Sequence, residues 1–159
     1  MNTPLVSVII PNYNYAKFLA QRIDTVLNQT YTNIEIIILD DHSTDNSTEV
    51  IESYRKDIRV SHIIYNETNS GSTFKQWRKG FDLARGTFIW IAEADDYADS
   101  TLLEKLVGVM STASNIKVGF VNSHWVLPDT TFINPDYTIP EKQRIYDGRM
   151  FVREHLLKE

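Results

Sequence analysis

The chain has 159 residues, 42% of them hydrophobic and 11% aromatic, which is enough for one folded domain with a real core. The formal net charge is −5 and the 16 Lys and Arg are scattered without a basic run, which argues against a nucleic-acid partner. The lack of cysteine excludes a disulfide scaffold and a thiolate zinc site, and the N-terminal "MNTPLVSVIIPNYN" has neither a basic lead nor an apolar run long enough for a signal peptide. No window reaches the length of a transmembrane helix, so a soluble chain is expected.

In chain order, short runs rich in β-branched residues recur as "LVSVII" (5–10), "IEIIIL" (34–39), "VSHIIY" (60–65), "FIWIA" (88–92) and "VGFVNS" (118–123). The second run apart from Glu35, and most of the first and fourth, are apolar without alternation, as in strands covered on both faces. Segments of helical period lie between the runs. Leu19, Ile23, Val26 and Leu27 form a stripe in the first, and Phe74, Trp77, Phe81 and Ala84 form one in the third, so Trp77 reads as core. Leu102, Leu103, Leu106, Val107 and Met110 form one in the fourth. The second segment, 46–55, is weaker, but Asn46 with Glu49 resembles a capping box, as does Thr101 with Glu104 before the fourth. Strand and helix in alternation, with short connections, predict an α/β fold with right-handed crossovers and a mainly parallel sheet flanked by helices. The stretch 128–147 holds three prolines and little period, and reads as a long loop over the sheet edge. The last segment, "YDGRMFVREHLLKE", is helix-like.

Ligands of such a sheet bind at the carboxyl ends of the strands. There the chain places "PNYNY" (11–15), "DDHSTDNS" (40–47), "NETNSGS" (66–72) and "EADDY" (93–97). Helix capping accounts for Ser43, Thr44, Asp45, Asn46, Asp99 and Ser100. It does not account for doubled carboxylates at a strand tip, which repel by roughly 3 kcal/mol at about 6 Å and an effective dielectric of 20. A divalent cation relieves that repulsion, and hard carboxylate oxygens suit Mg²⁺ or Mn²⁺. Two carboxylates leave the shell incomplete, so a phosphorylated ligand bridged by the ion is expected at Asp95 and Asp96. Neither GxGxxG nor GxxxxGK[ST] is present, which disfavours an ordinary dinucleotide fold or a P-loop.

The blocks "VSVIIPNYNYAKFLAQRIDTVLNQTYTNIEIIILDDHSTDNS", "NSGS" and "ARGTFIWIAEADDYADSTLLEKLV" together resemble the nucleotide-sugar-binding part of the family 2 glycosyltransferases. The resemblance covers roughly residues 4–110, and its specificity lies in the order and spacing of the blocks. It implies a GT-A fold and inverting sugar transfer from a nucleotide-diphosphate sugar, a UDP-sugar favoured, with a divalent ion. It also implies a saccharide or lipid-linked acceptor, and a place in polysaccharide biosynthesis. Pro11, Asn12 and Tyr13 would lie against the base, with Tyr13 stacked on it and the Pro11 backbone bonded to it. Asp41 would accept the uracil N3–H, Asp95 would serve substrate and metal, and Asp96 the metal. Many relatives have Asp where this chain has Glu93, and an Arg-Asn pair where it has "FKQWRKG" (74–80), which leaves the roles of Glu93, Lys75, Arg78 and Lys79 open.

The resemblance divides the chain into a donor-binding region, 1–125, and a loop with the start of an acceptor-side region, 126–159. It puts the catalytic base beyond residue 159, in a larger protein that is cytoplasmic or peripheral to the inner face of the membrane. A non-catalytic nucleotide-sugar-binding module is the alternative. A phospho-accepting receiver domain is disfavoured, because the first strand ends in "PNYN" rather than an acidic pair.

Overall fold

The computed structural model describes residues 3–121, 123–126, 132, 133 and 147. Met1–Val107 forms one compact unit and Gly108–Glu159 a second. In the first unit β1 (Val6–Asn12), β2 (Ile34–Asp40), β3 (Val60–Tyr65) and β4 (Phe88–Ile91) make a four-stranded sheet in the order β3-β2-β1-β4. Every pairing in that sheet is parallel. Helices α1 (Ala16–Leu27), α2 (Ser47–Ser53) and α3 (Thr73–Leu83) alternate with the strands, and α4 (Leu102–Met110) follows β4.

The two central strands, β1 and β2, are buried at every position. Successive side chains of a strand point to opposite faces, so a run apolar on both faces needs a layer on each. On one face Val8, Ile10, Ile36 and Ile38 pack with Leu19, Ile23 and Val26 of α1, Ile51 of α2, and Leu103 and Val107 of α4. On the other, Ile9, Ile37 and Leu39 pack with Leu83, Ala84, Ile64 and Ile91. Burying a side chain of this size stabilises by roughly 1.5–3 kcal/mol, and the first face carries most of that burial.

Helix α3 is seated differently from the way its sequence stripe suggests. Its buried residues are Gln76 and Gly80, while Phe74 is 72% exposed and Phe81 44% exposed. Gly80 sets the orientation: a Cβ there would stand 2.5 Å from Ile9 Cγ2, so only glycine lets the helix axis approach the sheet so closely. Trp77 is therefore half-buried rather than core. Neither expected capping box forms. Asp45 Oδ1 accepts from the Ser47 backbone N–H at the start of α2, and Asp99 Oδ1 accepts from the Thr101 N–H before α4. Glu104 instead accepts from the Thr30 hydroxyl.

The fifth apolar run is not a strand: the described residues of 118–123 carry no ladder pairing. Gly119 lies in that run, and glycine weakens a strand interior. In the second unit the described strands are β5 (Trp125–Val126) and β6 (Phe132–Ile133), which pair antiparallel. Apart from β6 and Asp147, the long loop 128–147 and the helix-like C-terminal segment lie outside the described residues. Among the described residues no helix is long and apolar enough to cross a membrane.

Candidate functional site

The chain runs β1 to β2 to β3 in one direction across the sheet and then returns to place β4 on the other side of β1. The loops that leave the carboxyl ends of these parallel strands gather at one edge of the sheet, where ligands of such sheets bind. A cavity of about 400 Å³ opens there, lined by Pro11, Asn12, Tyr13 and Tyr15 from the first loop, Asp41 from the second, residues 69–76 in part, and Glu93, Ala94 and Asp95.

One wall is built from backbone and side chains that bond each other closely, while two buried oxygens in it, Asn12 Oδ1 and Gln76 Oε1, have no partner among the described residues. Asn12 Nδ2 donates to Asp40 Oδ1 at 2.7 Å and to Ser43 Oγ at 3.1 Å. Asp40 also accepts from the Ser43 N–H and hydroxyl. Asn14, with φ of 60°, turns its Oδ1 to the backbone N–H of Thr44 at 2.7 Å. Asparagine tolerates that left-handed conformation because its short side chain bonds locally. Loops 11–15 and 40–47 are thus joined by hydrogen bonds, and Tyr13, 45% exposed, lines the cavity.

Asp41 is only 5% exposed and yet lines the cavity. Its Oδ1 accepts from Asn66 Nδ2 at 2.6 Å, the Ser70 backbone N–H at 2.8 Å and Gln76 Nε2 at 2.8 Å. Its Oδ2 accepts from Ser70 Oγ alone, at 2.7 Å. A carboxylate offers about four lone-pair sites, two on each oxygen, so Oδ2 keeps capacity for one more donor. Asp41 thereby ties the loop after β3 to α3. Gln76 in this wall has no warning in the sequence, since a polar residue inside a helix usually reads as exposed.

The opposite wall is acidic and sparsely bonded. Asp95 and Asp96 are exposed, Asp96 with 71% of its side chain accessible, and no hydrogen bond to either carboxylate is present among the described residues. Asp95 lines the cavity, whereas Asp96 lies outside its lining. Glu93 is half-buried and its Oε1 accepts from the Trp77 indole Nε1–H at 2.9 Å. Burial, chiefly, holds the Glu93 carboxyl above its ordinary value; Asp95 and Asp96 add to that and the Trp77 bond opposes it.

Beneath this loop lies a cation that the helical stripe of α1 does not announce. Arg22 is 2% exposed; its Nε donates to the Glu93 carbonyl at 2.7 Å and its Nη2 stands 3.8 Å from Asp96 Oδ2. Its guanidinium also lies 5.5 Å from the centre of the Trp90 ring. Burial works to lower its pKa, and the charges of Asp96, Asp95 and Glu93 work against that. Lys75 and Lys79 bond the Ser70 carbonyl and the Asn66 side chain, and Arg78 pairs with Asp82 on an exposed face. None of the three lines the cavity. His42 also lies outside its lining, with φ of 65°.

The whole arrangement is that of a parallel α/β domain with a polar cavity at the carboxyl ends of its strands, and comparison with known proteins assigns it more closely. The model of glycosyl transferase family 2 matches residues 7–152, so the chain belongs to that family. It is 36% identical over 102 residues to the glycosyltransferase GlyG of Streptococcus pneumoniae, covering 64% of this chain and 34% of the relative. It is 32% identical over 142 residues to a chondroitin synthase of Pasteurella multocida, covering 89% of this chain and 14% of the relative. Among solved structures, S. aureus TarS 1–349 in complex with UDP-GlcNAc superimposes with a TM-score of 0.62 at 27% identity, covering 67% of this chain and 31% of that one. The chain spans about a third of the length of GlyG and of the TarS fragment.

Proposed function

We propose that this chain is the donor-binding part of an inverting glycosyltransferase that takes a nucleoside-diphosphate sugar, a UDP-sugar first, with Mg²⁺ or Mn²⁺. The observation that carries the reading is the division of the cavity: a closely bonded wall with spare acceptors on Asp41, Asn12 and Gln76, facing an acidic wall with Glu93 and Asp95. The likeness to a structure holding UDP-GlcNAc supports the same ligand class. The donor-binding region is 1–125, and 126–159 begins the acceptor side.

In this reading uracil enters beside loop 11–15. Tyr13 offers its ring for stacking, which is worth about 1–3 kcal/mol per base. Asp41 Oδ2 accepts the N3–H, and the Pro11 backbone bonds the base edge. The diphosphate then runs towards Asp95. Two exposed aspartates are a hard-oxygen donor set that suits Mg²⁺ or Mn²⁺, and among the described residues no three His, Cys, Asp or Glu are gathered to complete the shell. Asp95 and Asp96 would hold the ion, with waters and diphosphate oxygens supplying the rest. Bound there, the ion supplies Lewis-acid stabilisation of the diphosphate leaving group. Arg22 neutralises part of the remaining negative charge from below, and its bond to the Glu93 carbonyl keeps the acidic loop in place. The acceptor hydroxyl, a saccharide's or a lipid-linked one's, is activated by a base beyond residue 159. Without that base the same site describes a nucleotide-sugar-binding module, and the presence of transferase activity in the full-length protein separates the two.

The test is calorimetric titration with UDP, GDP and dTDP, each with and without Mn²⁺. UDP bound more tightly than GDP, and only with Mn²⁺, is the expected result. Equal affinity with and without the ion would remove the metal from the reading, and no binding of any of the three would end it.

A further inference from the structure

Glu93, Asp95 and Asp96 lie within four residues, yet the structure treats them unequally. The Glu93 carboxylate is held by the Trp77 indole N–H at 2.9 Å. Trp77 is itself braced by an edge-on contact with Phe74, ring centres 5.0 Å apart, on a helix fixed to β1 through Gly80. The backbone of the same residue is held from α1, where Arg22 Nε donates to its carbonyl at 2.7 Å. Glu93 is thus fixed at both ends, from two helices. Asp95 and Asp96 have no such hold on their carboxylates among the described residues. A glutamate carries one methylene more than its aspartate neighbours, and that extra reach brings its carboxylate to α3.

We propose that Trp77 is a positioning residue that withholds the Glu93 carboxylate from the cation held by Asp95 and Asp96, so that the ion site stays incomplete until a diphosphate fills it. The proposal rests on the reading of Asp95 and Asp96 as ion ligands. Its physical basis is the reluctance of Mg²⁺ and Mn²⁺ to dehydrate for few ligands. Two aspartates hold such an ion weakly, whereas a third carboxylate in reach would hold it without nucleotide. By occupying Oε1, the indole ties ion uptake to donor binding. Trp77 thereby acts on the ion through Glu93, without touching it.

The test measures Mn²⁺ alone, by electron paramagnetic resonance of the free ion, on the wild type, Trp77→Phe, Glu93→Gln and the double variant, and repeats each with UDP. Phenylalanine keeps the ring contact and removes the N–H. Glutamine removes the charge while its amide oxygen still accepts from the indole. Trp77→Phe is expected to bind Mn²⁺ alone roughly tenfold more tightly than the wild type, the scale on which partners of metal ligands act. The double variant is expected to lose that gain, and Glu93→Gln to bind Mn²⁺ only slightly more weakly than the wild type, through the lost charge alone. A purely structural tryptophan would not raise affinity for a free ion. Trp77→Phe equal to the wild type overturns the proposal, and so does a tenfold or greater loss of Mn²⁺ binding in Glu93→Gln, which shows Glu93 already among the ligands. Because Glu93→Gln leaves Trp77 in place, such a loss overturns the proposal even if Trp77→Phe fails to fold. Mn²⁺ uptake by the wild type with UDP, but no gain in Trp77→Phe, sinks the role of Trp77 only. No Mn²⁺ uptake by any protein, with or without UDP, sinks the ion site and this inference with it.

Discussion

Two aspartate pairs follow two parallel strands, and the fold uses them in opposite ways. Asp40 and Asp41, at the end of β2, are buried, and their carboxylates accept seven hydrogen bonds between them from Asn12, Ser43, Asn66, Ser70 and Gln76. Asp95 and Asp96, after β4, are exposed and accept none among the described residues. The first pair holds loops together; the second keeps its oxygens for something outside the chain. The cause is the position of the strands. β2 is central, so its tip is surrounded by the loops after β1 and β3, which bring amides and hydroxyls to it. β4 is, among the described residues, an edge strand, and its tip meets one buried guanidinium, Arg22. An acidic dipeptide at a strand end is therefore not a metal signature in itself; the supply of protein donors around it decides.

Three variants test that contrast, and on the scale of stability they run from large to small. Asp41→Ala leaves the donors of Asn66, Ser70 and Gln76 without their acceptor in a mostly buried setting. Urea denaturation should show a loss of about 3 kcal/mol with the slope unchanged. A loss below about 1 kcal/mol would mean that water replaces the carboxylate, and the first pair would no longer differ from the second.

Glu35 sharpens the comparison as a satisfied carboxylate away from the cavity. It accepts from the Ser7 hydroxyl at 2.6 Å and from the Arg85 backbone and guanidinium. Burial alone would raise its pKa, but the bonds from Ser7 and Arg85, with the Arg85 charge, bring it below its ordinary value of 4.5. A depressed folded-state pKa contributes stability that is present above about pH 4.5 and lost as the pH falls through the folded value. Glu35→Gln should therefore cost about 1–2 kcal/mol at neutral pH and progressively less in acid. Denaturation midpoints across pH 3–7 check it, and a pH-independent difference would show that charge has no part in the Glu35 network.

Asp96→Ala should change stability least, within about 0.5 kcal/mol, because its carboxylate is exposed and its pairing with Arg22 is long. Relief of repulsion from Asp95 and Glu93 opposes the loss of that pairing. The same variant should lose Mn²⁺-dependent UDP binding in calorimetry. Destabilisation near 1 kcal/mol with binding retained would instead make Asp96 a structural residue.

Much of this arrangement was legible in the residues alone. The apolar runs at 5–10, 34–39, 60–65 and 88–92 meet β1 to β4, since a strand covered on both faces has no polar face to show. Their ends place loops 11–15, 40–47 and 93–97 at one edge, and Pro11, Asn12, Tyr13, Asp41 and Asp95 line one cavity there. Chain order and a parallel sheet suffice for that. What the sequence could not determine is which donors surround a given carboxylate, because those come from residues distant along the chain. Asp41 and Gln76 meet across 35 positions, and Arg22 and Glu93 across 71. The seating of α3 was equally out of reach. Its stripe of Phe74, Trp77 and Phe81 has the period of a core-facing side, but the close approach of Gly80 to Ile9 turns Gln76 inward and sends Trp77 to Glu93. The run at 118–123 failed for a related reason: β-propensity marks residues that suit a strand, and only a partner strand makes one. The sequence by itself determined the order of elements and the edge at which polar loops gather, because both follow from local periodicity. Only the tertiary structure decided which acidic pair is satisfied and which is left open, because that depends on long-range neighbours that no local pattern encodes.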